Sequence, residues 1–249
     1  LFTAEITSTT QLTITRAEKT NGDNYNTDLA YQVVAFDSTE PDINVQKGTC
    51  TINNAAGAGE TSDLNGVLKV TIPTAVTVAK SFLLFTVNPP TGTTYGGAEN
   101  YYMVDGQITG IQEITFTRRD VTTDAQAVTV KWQVVEFKNN IANVQKGRKA
   151  NQAALTATAT GAGDGFGTAV YSSRSFAVMS TSTNGLASDT DNGSLDAVSW
   201  RVNFNAPAGS PPTCNTLNFT RTAADSVNIA YFIVEMPPLK IISPDGGGS

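Results

Sequence analysis

LTITR (12–16), ITFTR (114–118) and LNFTR (217–221) read as three copies of one strand, each ending in Thr-Arg. A second matching run follows each copy: LAYQVVAF (29–36), VKWQVVEF (130–137) and IAYFIVEM (229–236). The tetrapeptide VQKG then recurs at 45–48 and 144–147. Ile14 and Phe116 lie 102 positions apart, Phe116 and Phe219 lie 103 apart, and Val45 and Val144 lie 99 apart. A unit of about 100 residues can bury its own core. The copies therefore read as small domains in series and not as turns of a solenoid.

The number of copies is not whole. Counting from one VQKG to the next gives a full unit at 45–143 and another from 144 to about 243. Residues 1–44 hold only the second half of a unit, since EITSTTQLTITR (5–16) matches QITGIQEITFTR (107–118). Divided by region, the expectation is a first sandwich at 1–88 and a second at 89–181. A third partial repeat with the tail occupies 182–249, completed in trans or by packing on the others. Half a sandwich leaves an open sheet edge and an uncovered apolar face, and something must cover both.

Within the copies the period is two. Ile114, Phe116 and Arg118 alternate with Thr115 and Thr117. Val128, Val130, Trp132, Val134 and Glu136 share a face, while Val135 and Phe137 make the far end apolar on both sides, as in a central strand. Further strands are expected at 67–72, 81–87, 101–109, 168–172, 175–181 and 198–204, separated by loops rich in Gly, Pro, Asn and Asp. No window carries a helical period over ten or more residues. The fold class is all-β: tandem antiparallel β-sandwich repeats, Ig-like or jelly-roll-like, in two and a half copies.

Composition narrows the function. With no histidine, Ser-His-Asp and Cys-His catalysis and ordinary zinc sites are excluded, and no spacing singles out a carboxylate pair. The chain reads as a non-enzyme. A net charge of −6 argues against nucleic acid, and the apolar runs are too short to span a membrane. Abundant Thr, Ala, Asn, Gly and Ser suit an exported β-protein. A chain beginning at Leu1 fits secretion through a removed signal peptide, a trimmed sequence or a fragment. Two cysteines, Cys50 and Cys214, fit either thiols or a bridge within or between subunits.

The loop SDTDNGSLD (188–196) places Asp189, Asp191 and Asp196 around a glycine, an oxygen set that suits Ca²⁺, although its spacing is not that of an EF-hand. A solvated turn capped by Asp and Asn is the default reading, with Ca²⁺ as the alternative. The aromatic at Tyr31, Trp132 and Tyr231 recurs mid-strand and reads as a core anchor; a sugar-stacking platform is the alternative. Tyr95, Tyr101 and Tyr102, in or beside a polar loop, are the better ligand contacts. Arg16, Arg118 and Arg221 read as caps of the open sandwich end, with packed stems and wet heads. VQKG reads as a strand ending in a Gly turn, with a covalent bond from Lys47 or Lys146 to an Asn or Asp as the alternative.

WQVVEF…NVQKG, with SFLLFT upstream and ITFTR between, resembles repeats of large secreted bacterial β-sandwich proteins. That resemblance implies export and a surface or extracellular structural role without an active site. The run Val128, Val130, Trp132 more faintly resembles a late strand of H-type lectins, and implies carbohydrate binding as the second reading, through the loops at 88–100 and 182–197. A viral or phage surface subunit shares the composition. The leading expectation is a homopolymer, an extracellular filament, tube or surface layer assembled head to tail by strand addition. Leu239, Ile241 and Ile242 of the tail are its donor residues.

Overall fold

The computed structural model describes residues 2–8, 11–16, 42–52, 60–63, 66–88, 103–118, 127–139, 141–183, 200–205, 213–222, 224 and 226–238. Among them every regular element is a strand, apart from three single turns of 3-10 helix at Val78–Lys80, Ala162–Asp164 and Ser172–Arg174. In chain order the strands open with β1 (Phe2–Ser8), β2 (Gln11–Arg16), β3 (Ile43–Ile52), β4 (Glu60–Asp63), β5 (Val67–Thr71) and β6 (Ser81–Asn88). Next come β7 (Val104–Gly110), β8 (Glu113–Arg118), β9 (Val128–Phe137), β10 (Asn143–Gln152), β11 (Thr156–Thr160) and β12 (Val170–Tyr171). The series ends with β13 (Ser175–Thr183), β14 (Arg201–Phe204), β15 (Thr213–Cys214), β16 (Thr216–Thr220) and β17 (Val227–Glu235).

All pairing is antiparallel, in several small sheets. The strands of 43–137 form β3-β9-β6 and β4-β5-β8-β7; those of 143–235 form β10-β17-β13, β11-β16-β14 and the pair β12-β15. Pairing thus crosses the boundaries expected at 88/89 and 181/182, because β6 joins β9 and β13 joins β17. The registers coincide from one group to the next. Val45 faces Val135 and Gly48 faces Trp132; 99 residues on, Val144 faces Val234 and Gly147 faces Tyr231. Side-chain bonds repeat as well. Gln46 brackets Thr74 (2.9 and 2.8 Å), and Gln145 brackets Thr168 (2.8 and 2.9 Å).

The hairpin β1–β2 repeats β7–β8. Ile6 faces Leu12 as Ile108 faces Ile114, 102 residues on, and both hairpins shift register at the next pair, Ser8–Gln11 and Gly110–Glu113. The run at 29–36, with Tyr31, lies outside the described residues.

Packing is sandwich-like. Phe85 of β6 meets Phe116 of β8 edge-on at 5.2 Å, and Phe219 of β16 meets Tyr231 of β17 at 5.4 Å. Trp132 and Tyr231 are 4% and 1% exposed, so both fill cores. VQKG does not end in a turn: it lies wholly inside β3 and β10. Its glycine makes room for the aromatic across the ladder. A Cβ on Gly48 would overlap the Trp132 indole, and one on Gly147 would overlap Tyr231 and the Asp164 carbonyl.

Burial of this kind sets a cost. Trp132→Ala is expected to destabilise the protein by about 3–5 kcal/mol, the range for a large core aromatic. Gly48→Ala, which adds a methyl where the indole already sits, should cost about 1–3 kcal/mol. Thermal or denaturant unfolding checks both; an unchanged midpoint for either would show that the ring does not rest on the glycine.

Candidate assembly interface

Of the three aromatics expected as core anchors, Trp132 and Tyr231 fall in the described part, both in cores. Tyr31, Asp189, Asp191, Asp196, Leu239, Ile241 and Ile242 lie outside it, as do Tyr95, Tyr101 and Tyr102. Among the described residues no three His, Cys, Asp or Glu cluster as a metal site, and no helix is long and apolar enough to cross a membrane. Cys50 and Cys214 are buried thiols.

The arginines differ from expectation. Arg118 and Arg221 are buried, heads included. Arg221 donates to the carbonyls of Ala154 (3.1 Å) and Gln152 (2.8 Å), and its guanidinium lies 4.4 Å from the centre of the Trp200 ring. Backbone carbonyls take the place of water around its fork of donors.

The geometry that stands out is where one strand group meets the next. In the three-stranded sheet β10-β17-β13 the central strand is buried on both faces. Ile229, Tyr231 and Ile233 point into its own core, with Leu217 and Phe219, whereas Phe232 and Val234 join the core built from 43–137. Every residue of β17 is therefore buried. The covering elements are the edges of β6 and β7. Phe82 sits edge-on to Phe176 at 5.9 Å, and the Gly106 N–H, on the free edge of β7, donates to Ser180 Oγ at 3.2 Å.

A buried polar cluster fixes the contact. Asp105, fully buried on β7, receives Arg148 Nη2 at 3.0 Å and Ser182 Oγ at 2.6 Å, both from the second group. Asn228 Nδ2 supports Ser182 at 3.2 Å. Lys146 Nζ donates to the Ile108 carbonyl, and burial lowers its pKa. Its amine contacts a backbone oxygen here, not the side chain of an Asn or Asp.

Among the described residues the matching face one unit earlier is open over part of its width: Phe82, Val135 and Phe137 on it are buried, and the side of Val45 and Leu84 is not. On β3-β9-β6, Val45 and Leu84 are 48% and 38% exposed, and a groove of about 940 Å³ runs along Lys47–Thr49, Leu83–Thr86 and Lys131–Gln133, lined from both faces of the sheet. Val178 and Phe232 stand at its side. The sequence carried this signal: Lys131 and Gln133 of β9 correspond to Ala230 and Phe232 of β17, so polar outer positions turn apolar where a neighbour covers them.

Two carboxylates tie down equivalent corners. Glu136 accepts the Thr77 N–H at 2.7 Å, and Glu235 accepts the Tyr171 N–H at 3.0 Å and Arg174 Nη2 at 2.9 Å. Burial pushes both pKa values up, but hydrogen bonds to the ionised forms outweigh it and hold both below the ordinary range. Burial raises the Tyr231 pKa strongly, with Asp164 adding to it, so this phenol stays neutral and donates to the Asp164 carbonyl.

No protein-family model, curated protein or solved structure matches the chain.

Two outcomes are expected. Arg148→Ala leaves a buried carboxylate with Ser182 as its donor, so stability should fall by about 3 kcal/mol, the low end for breaking a buried pair. No loss in a denaturant titration would place Asp105 in water. Because Glu136 and Glu235 have depressed folded values, their contribution is complete above the unfolded carboxylate value of about 4.3 and is lost as pH falls through the folded one. The melting temperature should be level above about pH 5 and drop below about pH 4. Glu136→Gln and Glu235→Gln should flatten the drop; a drop of the same depth in the double variant would assign it elsewhere.

Proposed function

We propose that the chain is a non-enzymatic structural subunit built of tandem β-sandwich repeats of about 100 residues. Exported from the cell, it assembles head to tail into a filament, tube or surface layer. One observation carries this reading: a sheet of one strand group already serves as the wall that closes the neighbouring group, through Phe232, Val234 and the Asp105 cluster. Repeated registers support it, because a unit copied with its contacts brings the means of stacking on another copy. A contact between different surfaces of two identical chains continues indefinitely unless its rotation closes a ring.

The C-terminal end is the donor side, where Leu239, Ile241 and Ile242 follow β17. Strand addition there would use backbone hydrogen bonds for affinity and alternate side chains for register. The carbohydrate-binding alternative gains nothing from Trp132 or Tyr231, whose rings are buried, and rests on the loops at 88–100 and 182–197, which lie outside the described residues except at 88, 182 and 183.

Sedimentation velocity and negative-stain imaging over rising protein concentration test the reading. Oligomers that lengthen with concentration are expected. A monodisperse monomer throughout would overturn the proposal. Deleting 239–249 should weaken assembly and leave the melting temperature unchanged; undiminished assembly would remove the tail from the donor surface.

A further inference from the structure

We propose, building on the self-assembly read above, that the outer face of β3-β9-β6 is a docking site for a second copy of this chain, which enters with its β13 and β14 edges. The occupant follows from the repeat. The same face one unit on, β10-β17-β13, is covered by the edges of β6 and β7. Register makes β13 the counterpart of β6, since Phe82 faces Val135 as Phe176 faces Val234. It makes β14 the counterpart of β7, since Gly106 faces Phe116 as Val202 faces Phe219. In a single chain these last edges have no following unit among the described residues.

Exposure marks both ends. Five large apolar side chains among the described residues are exposed, and three of them lie on the two surfaces in question: Val45 and Leu84 on the face, and Phe176 on the edge. Their counterparts inside the chain are covered. Val144 is 7% exposed where Val45 is 48%, and Phe82 is 2% exposed where Phe176 is 40%. Exposed apolar groups gathered in this way mark an interaction surface.

The polar contacts carry over only in part. Lys47 corresponds to Lys146, and Phe204 to Ile108, so the lysine-to-carbonyl contact is retained between copies. Asp105 corresponds to Arg201, and Arg148 to Thr49, so the buried ion pair is not. Arg201 instead approaches a face bearing Lys47 and Lys131, and like charges oppose docking. The contact between copies is therefore weaker than the contact within one, and added salt should tighten it by screening the repulsion.

Hairpin β1–β2 stands at the rim of this face. Beta-strand β1 runs beside β6 as β7 runs beside β13, which is the place the incoming β14 would take. The hairpin pairs with no other described strand, and an isolated two-stranded hairpin is marginal on its own. The incoming copy displaces it.

Sedimentation velocity on four full-length variants decides. Leu84→Glu and Phe176→Glu should each weaken association at least tenfold; circular dichroism should be unchanged for Leu84→Glu, and a melting curve reads separately what Phe176→Glu costs at its contact with Phe82 within the chain. Mixed one to one, they should form a dimer and nothing longer, because each supplies the end the other lacks. Arg201→Asp should tighten association, a gain that misfolding cannot produce. Deleting 1–16 should also tighten it. If the wild type assembles and both glutamate variants assemble equally well, or if their mixture stays monomeric, the docking face is wrong while self-assembly stands. If neither the wild type nor Arg201→Asp associates at any concentration, both fall.

Discussion

A glycine beneath an aromatic ring sets the geometry of each strand group. Trp132 lies across the ladder from Gly48, and Tyr231 from Gly147. The bare backbone leaves room for each ring: Tyr231 reaches Phe219 of β16 at 5.4 Å, and Trp132 fills the core that also holds Phe116 of β8. Such a ring also shields an otherwise weak glycine position in the strand. The pairing fixes which residue of VQKG faces which residue of the central strand. A slip of one residue would drive a Cβ into the ring and turn Val134 out of the core. The second group shows the tolerance of the device. Tyr replaces Trp, and the phenol reaches the Asp164 carbonyl beyond the glycine.

Asp105 works differently. A buried carboxylate adds little net stability when it is fully paired, since desolvation offsets the attraction, but it penalises every arrangement that leaves it unpaired. Phe232 and Val234 make the junction between groups adhesive, whereas Asp105, Arg148 and Ser182 make it singular. Arg201, the residue at the corresponding place one unit on, removes that selectivity.

Much of the fold was legible because a repeat reports its own register. The spacing of 99 between Val45 and Val144 appears again as an identical strand pairing, and EITSTTQLTITR folds as the same bulged hairpin as QITGIQEITFTR. Period two gave the central strand and its doubly apolar end at Val135 and Phe137. Two readings missed. Glycine in VQKG looked like a turn because local chemistry favours turns, while its real partner, Trp132, lies 84 positions away. Arginine in FTR looked wet because its acceptors are backbone carbonyls, which carry no side-chain signature. The junction was written in the change from Lys131 and Gln133 to Ala230 and Phe232, visible only when the copies are compared position by position.

β17 belongs to two cores by alternation. Tyr231 and Ile233 serve one, and Phe232 and Val234 serve the other. The wall of the first core is thus encoded almost 100 residues after the strand it protects, since Val134 precedes Val234 by 100 positions. During synthesis, the first group emerges with its open side unsealed and waits for β17 before its apolar edge leaves water. Closure follows synthesis with a lag of one unit. A chain of such units closes each interior behind it as it grows, and holds an unfinished one only at its newest member.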